Sequence, residues 1–111
     1  MARAKAVVVL TACPSASVAR RLAENLLRRR LAACINIIPG VKSFFWWQGK
    51  IDRCSEWLLV IKTEKRILGQ LSKAIRKEHP YETPEIIALA VDFGDKKYLH
   101  WIRDSVVSKS A

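Results

Sequence analysis

The sequence lacks several features that would place a 111-residue chain in a special class. It has only four glycines and four prolines, too few for a collagen-like or low-complexity protein. No apolar run approaches the roughly 20 residues that a membrane-spanning helix needs. The three cysteines are widely spaced and form no CxxC pair, which excludes a disulfide framework and the usual zinc spacing. We therefore predict a globular protein without membrane association.

Sequence motifs of common enzyme classes are absent as well. The four glycines are isolated, so the chain has neither a nucleophile elbow nor a phosphate-binding Walker loop. Only two histidines occur, His79 and His100, and no pair of carboxylates is set for acid–base catalysis. The sequence therefore predicts a binding protein, not an enzyme, and one without an organic cofactor.

The chain does contain enough apolar sequence for one folded domain. Half of its residues are apolar and 27% are charged. A chain of 12.6 kDa buries about two thirds of its unfolded surface, so residues 1–111 are predicted to form a single domain. Twenty Lys and Arg against ten Asp and Glu give a formal charge of +10, which attracts polyanions but does not specify a fold.

Hydrophobic periodicity predicts strands alternating with helices. The predicted strands cover residues 6–12, 34–38, 41–47, 51–62 and 86–93, and the predicted helices begin after Ser15, cover 65–78 and begin at Gly94-Asp95. Pro39-Gly40 interrupts the second strand, Gln48-Gly49 makes a hairpin turn, and Pro80 ends the second helix. This β-α-β-β-α-β order with an extra C-terminal helix predicts an α+β, ferredoxin-like sandwich with a long β-hairpin arm.

The first apolar stretch allows two interpretations. Arg3 and Lys5 precede it, which imitates a short secretory signal peptide. The stretch is at the lower length limit for such a signal and is rich in β-branched valine, so we favour a buried first strand. The cysteine pattern likewise favours a reducing compartment.

The tip of the hairpin arm is apolar on both sides. Phe44 and Trp46 point one way along a strand, and Phe45 and Trp47 point the other way. Three further strands are apolar on both faces, whereas strands of an antiparallel sheet with one wet face should alternate apolar and polar residues. Either the third helix or another subunit must therefore cover the second face. A long apolar hairpin invites aggregation unless a partner covers it. We therefore predict an obligate oligomer with these four aromatic residues in its interface.

Five segments together resemble the CutA family of divalent-cation tolerance proteins. They are LAACIN at 31–36, SFFWWQGK at 43–50, IKT at 61–63, HPYETPE at 79–85 and YLHW at 98–101. The resemblance covers nearly the whole chain. It implies a ferredoxin-like fold in a tight homotrimer, a cytoplasmic location in microbes, and binding of copper or other divalent cations.

A candidate metal site lies where the second helix ends. Histidine and carboxylate ligands suit copper or zinc, and a thiol suits copper(I). In the family, a cysteine at the end of the first strand and histidine before the Pro-Tyr motif are associated with copper. This chain has Thr11 at that strand position and a thiol at Cys13, and it has Glu78 before a single His79. The predicted ligands are therefore Cys13, Glu78 and His79, with copper as the favoured metal; the alternative is that His79 only caps the helix.

A second candidate site is a cleft between subunits. The positions that resemble the family's cleft are Trp47, Glu56, Lys62, Tyr81, Glu82 and Glu85. Two other functions share the fold plan. One is a PII-like trimeric regulator that binds a small molecule between subunits. The other is an RNA-binding domain, but the RNP1 pattern is missing and the central strands are aliphatic, so no specific nucleic-acid partner is predicted.

Overall fold

The computed structural model describes residues 5–107, and within that range the predicted order of elements is confirmed. The elements are β1 (Ala6–Cys13), α1 (Ala16–Arg28), β2 (Cys34–Trp47), β3 (Lys50–Glu64), α2 (Leu68–Glu78), β4 (Ile87–Ala90) and α3 (Lys96–Ser105). A 3-10 turn over Lys65–Ile67 precedes α2. The two ends of the predicted domain, and Arg3 with them, lie outside the described residues.

The strands form one antiparallel sheet in the order β2-β3-β1-β4. β1, the strand predicted from the first apolar stretch, lies between β3 and β4 and is mostly buried. The order of helices and strands together with this pairing confirms the α+β, ferredoxin-like prediction.

Local capping signals set the helix boundaries as the sequence predicts. The Ser15 hydroxyl accepts a hydrogen bond from the Val18 backbone N–H at 3.2 Å and begins α1. The Asp95 carboxylate does the same for the Tyr98 N–H at 3.0 Å and begins α3. Pro80 has no N–H for a further helical bond, so α2 ends at Glu78.

Two strand predictions need correction. The predicted break at Pro39-Gly40 is a bulge inside one continuous strand, β2, because Ile38 pairs with Leu58 and Val41 pairs with Glu56. The last strand was predicted over residues 86–93 but spans only Ile87–Ala90. Its one neighbour in the sheet, β1, begins at Ala6, so the ladder on that side ends with the bond from the Val91 N–H to the Ala6 carbonyl.

The core lies between one face of the sheet and helices α1 and α2. Its fully or nearly fully buried members include Val9, Leu59 and Ile61 from the sheet and Leu22, Leu26, Leu71 and Ile75 from the helices. The neighbouring strand residues point to the opposite face of the sheet, because side chains alternate along a strand.

That opposite face is also apolar and is only partly covered. Ile87 and Leu89 of β4 pair with Leu10 and Val8 of β1, and they are 48% and 50% exposed. Ile38, on the same face at the edge strand, is 45% exposed. Both faces of the sheet are therefore apolar, as the sequence indicates. One copy of the chain does not cover the second face.

None of the helices within residues 5–107 combines the length and the apolar character that crossing a membrane requires.

Candidate functional site

The hairpin arm, defined as residues 41–56, extends beyond the rest of the sheet. Pairing between β1 and β3 ends at Cys13 and Trp57, so in the described chain the arm is a ribbon of two strands paired only with each other. Gln48 and Gly49 both have positive φ, at 50° and 77°, which is the two-residue turn that fits the twist of a hairpin. The arm makes the molecule elongated, with extents of 49 × 26 × 22 Å.

The two sides of the arm carry different side chains. Directly paired residues share a side, so Phe45 lies with Asp52 on one side, and Trp46 lies with Ile51 on the other. Phe44, Trp46 and Ile51 are 65%, 74% and 67% exposed. The alternation predicted for the four arm aromatics agrees with this pairing. Their place in a subunit interface stays a prediction.

A cleft of about 1010 Å³ lies between the arm and the segment that follows α2. It is lined by residues 12, 43–47, 52, 54, 56 and 80–85. Five of the six residues predicted for a cleft between subunits line this cleft within one chain, namely Trp47, Glu56, Tyr81, Glu82 and Glu85, and their position between subunits stays a prediction. The sixth, Lys62, lies six residues farther along β3, about 20 Å away, where its ammonium group donates a hydrogen bond to the Asn36 side chain.

A partly buried hydrogen bond joins the two walls of the cleft. The Tyr81 hydroxyl donates to the Glu56 carboxylate at 2.8 Å, and Glu56 is only 7% exposed. Burial raises the pKa of Tyr81, and its hydrogen bond to Glu56 raises that pKa further. The phenol therefore stays protonated as a donor, which ties the segment after α2 to the base of the arm.

His79 sits behind this bond with both ring nitrogens in use. Nε2 lies 2.7 Å from the Ala12 carbonyl oxygen, and Nδ1 lies 3.1 Å from the Tyr81 backbone nitrogen. A carbonyl can only accept and a backbone N–H can only donate, so the proton is on Nε2 and Nδ1 accepts. His79 is also the C-cap residue of α2, because its backbone N–H donates to the Ile75 carbonyl at 2.8 Å, and its side chain connects this helix end to β1.

The other two predicted metal ligands also have structural surroundings. Glu78 accepts a hydrogen bond from the Asn25 side chain, which joins α2 to α1. Cys13 is fully buried in the hydrophobic core. Burial raises the pKa of the Cys13 thiol to about 11, and the negative charge of Glu56 contributes to the same shift.

The predicted ligands do not form a metal site in this arrangement. Across residues 5–107, no group of three His, Cys, Asp or Glu side chains is placed to hold a metal ion. A metal at His79 would have to displace one of its two hydrogen bonds, and a metal at Cys13 would have to displace a tightly held proton. The ligand set of Cys13, Glu78 and His79 therefore stays a prediction.

Sequence reasoning missed two residues of the cleft. They are Asp52 and Cys54, which belong to none of the five family-like segments and lie on the cleft side of β3 with Glu56. Burial raises the pKa of Cys54, and the carboxylates of Glu56 and Asp52 raise it further. The hairpin turn could have identified both residues. Counting outward from Gln48-Gly49 pairs Asp52 with Phe45 and Cys54 with Ser43 across the two strands.

The raised pKa of Cys13 predicts a loss of stability in alkali. Its ordinary value is 9.0, so the unfolded thiol ionises near pH 9 and the folded thiol only near pH 11. Between these values the folded state binds more protons, and the free energy of unfolding should fall by about 2–3 kcal/mol. Denaturant unfolding at pH 8 to 11 measures this fall. Cys13→Ala should lose that part of it, whereas equal slopes in both proteins would contradict the assignment.

Comparison with known proteins agrees on one family. A family model described as "CutA1 divalent ion tolerance protein" matches residues 7–105. The "Divalent-cation tolerance protein CutA" of Thermus thermophilus is 43% identical over 98 residues, which is 88% of this chain and 95% of that protein. "Protein CutA 1, chloroplastic" of rice is 40% identical over 99 residues, 89% of this chain. The chain spans 56% of the rice protein and 55% of a mouse relative, about half of each.

Solved structures show the same relation. The crystal structure of CutA1 from Oryza sativa superposes with a TM-score of 0.91 at 39% sequence identity. The superposition covers 93% of this chain and 94% of the rice chain. The divalent cation tolerance protein from Thermus thermophilus gives 0.90 at 41% identity and covers 92% and 99%. Both sequence identities are high enough that the similarity supports a family relationship and not the fold alone.

Proposed function

The chain belongs to the CutA1 divalent ion tolerance family, and from this membership we propose that it works in tolerance to divalent cations as a trimeric binding protein without catalytic activity. The observation that carries the proposal is the family match over residues 7–105, which includes the whole arm and the cleft. The family is named for tolerance and not for a reaction.

The homotrimer is supported by surface that one chain leaves uncovered. A hairpin of two strands is marginally stable at best in water unless it packs against something else. The seven residues of each arm strand extend about 23 Å past the sheet, with Trp46 74% exposed at the tip. The exposed residues Ile87 and Leu89 add a second apolar patch on the open sheet face. We propose that neighbouring copies cover both surfaces.

The charge of the cleft supports a cation as its ligand. Four carboxylates line it, from Asp52, Glu56, Glu82 and Glu85, whereas none of its lining residues is Lys or Arg. Ala12 and Tyr81 also line the cleft, and each contacts His79. A cation attracted into the cleft would therefore lie close to the predicted ligand His79.

Copper is the cation that we propose, with Cys13 and His79 as ligands and Glu78 as a third. Thiol and imidazole ligands together suit copper(I). A cytoplasmic location is part of the proposal, and it is supported by the three free cysteines, Cys13, Cys34 and Cys54.

We expect copper(I) affinity to fall at least tenfold in both His79→Ala and Cys13→Ser, measured by competition with a chromophoric chelator. Binding releases the Cys13 proton, so the apparent affinity should rise about tenfold for each pH unit up to the region of the thiol pKa. His100→Ala is the matched histidine control because His100 is exposed on α3, and Cys34→Ser is the matched thiol control.

Undiminished copper affinity in both His79→Ala and Cys13→Ser would show that this site is wrong. The tolerance role has a separate test, in which the chain is expressed in a copper-sensitive bacterial host. Wild-type protein should raise the copper concentration that the cells survive. No difference from an empty vector would contradict the proposed role even if copper binds in vitro.

A further inference from the structure

Positive charge is concentrated on the two helices that cover the core. The residue ranges 16–29 and 68–78 contain seven of the twenty Lys and Arg but only two of the ten Asp and Glu, so they carry half of the formal +10 charge. The seven are all exposed and are Arg20, Arg21, Arg28, Arg29, Lys73, Arg76 and Lys77. We call this set the basic face.

The basic face lies opposite the sheet, and the exposed carboxylate of Glu24 lies among its α1 residues without forming an ion pair with them. Helices α1 and α2 bury Leu26 and Ile75 against the same side of the sheet, and Asn25 contacts Glu78 between them. Among residues 5–107 there are two ion pairs, Arg66 with Glu64 and Arg103 with Asp104, and neither involves the basic face. Arg76 donates to a neutral serine hydroxyl, and no carboxylate of the described chain forms an ion pair with any of the seven.

We propose that the basic face binds the phosphate backbone of a nucleic-acid duplex without reading its sequence. Five of its seven residues are arginine, whose planar fork donates two parallel hydrogen bonds to a phosphate. Arg20 and Arg28 are two turns apart on α1, about 12 Å, a length of duplex that contains about seven phosphates. The spacing therefore allows several phosphate contacts at once.

The side chains on these helices favour a duplex backbone over other polyanions. A membrane-surface helix inserts an apolar side into the bilayer, but the apolar sides of α1 and α2 are buried in the core and only Leu27, at 38%, is a large exposed hydrophobic residue there. Neither helix contains an aromatic residue that could stack on an unpaired base. The aromatic residues of the arm lie elsewhere in the fold.

This binding is independent of the proposed cation role, which uses the cleft at the base of the arm. A trimer formed through the arm and the open sheet face would leave the basic face of every subunit in solvent. Three such faces on one particle would increase the apparent affinity for a long duplex.

The test compares two charge-reversed variants of the full chain with the same change in net charge. Arg21→Glu/Lys77→Glu alters the basic face, and Lys96→Glu/Lys97→Glu alters two exposed lysines in the first turn of α3. Fluorescence anisotropy measures binding to a labelled 20-base-pair DNA duplex at 50 to 200 mM salt. The basic-face variant should bind at least tenfold more weakly, with a log–log salt slope smaller by about 0.9 for each lost phosphate contact, and the α3 variant should change little.

Two duplexes of unrelated sequence should bind equally. An equal loss in both variants would show that net charge acts without a specific face, and would overturn the proposal. So would a strong preference for one duplex, or tighter binding to phosphatidylserine vesicles than to DNA at the same salt. If circular dichroism shows that the basic-face variant is unfolded, Arg21→Gln/Lys77→Gln replaces it, and unchanged DNA affinity in that variant also overturns the proposal.

Discussion

Replacing Trp46 by glutamate is expected to dissociate the protein into monomers or to unfold it. In a single chain the Trp46 side chain is 74% exposed, and its cross-strand partner Ile51 is 67% exposed. If a neighbouring subunit covers this surface, each glutamate would place an unpaired carboxylate in an apolar interface. Truncating a central aromatic residue of an interface costs about 2–4 kcal/mol, and each trimer contains three copies.

Sedimentation at micromolar concentration measures the effect directly. The wild-type protein should sediment with three times the mass of the 12.6 kDa chain, and Trp46→Glu should not. Trp101→Glu is the matched control, because Trp101 is 48% exposed on α3, away from the arm. A stable wild-type monomer would refute the predicted oligomer. Equal dissociation of both variants would show that the effect is not specific to the arm.

Removing the Arg66 side chain should cause a large loss of stability within one subunit. Its guanidinium contacts the Glu64 carboxylate at 3.1 Å and donates to backbone carbonyls at the end of α3, among them those of Arg103 and Val107. Glu64 is 3% exposed, and one of its two oxygens has no hydrogen-bond partner in the described chain. Arg66→Ala would leave this buried carboxylate unpaired, a change that costs about 3–5 kcal/mol.

A second substitution separates the charge effect from the lost contacts to α3. Glu64→Gln removes the buried charge, so the double variant Arg66→Ala/Glu64→Gln should recover part of the lost stability in urea unfolding. Arg103→Ala is the matched control, because its ion pair with Asp104 is exposed, and it should change stability little. No recovery in the double variant would mean that the contacts to α3 account for the whole loss.

Most of the architecture follows from short-range signals in the sequence. The hydroxyl of Ser15 and the carboxylate of Asp95 begin helices because each caps a nearby N–H, and Pro80 ends one because it has no N–H to donate. The alternation of aromatic residues on the arm sets which side each occupies, since side chains alternate along any strand. The family resemblance, carried by five segments, is confirmed by the match over residues 7–105.

The candidate site was predictable in part, because some of its residues belong to motifs that are visible in the sequence. The segment at 79–85 and the arm appear as separate motifs, and five of the six residues that the family resemblance assigns to a cleft between subunits line one cleft within the chain. Lys62 does not, because six residues of β3, about 20 Å, separate it from Glu56, and its ammonium group contacts the Asn36 side chain there. Asp52 and Cys54 enter the cleft through the hairpin register, which a search for motifs does not use.

Only the tertiary structure decided what the predicted metal ligands contact. His79 is 67 residues from Ala12 in the chain, and their hydrogen bond forms because α2 ends beside the end of β1. The burial of Cys13 and the contact of Glu78 with Asn25 likewise depend on how α1 and α2 pack on the sheet. Periodicity and capping are properties of neighbouring residues, so the sequence alone determines them. Hydrogen-bond partners and pKa shifts at this site come from residues far apart in the chain, so they are decided only when the sheet and helices assemble.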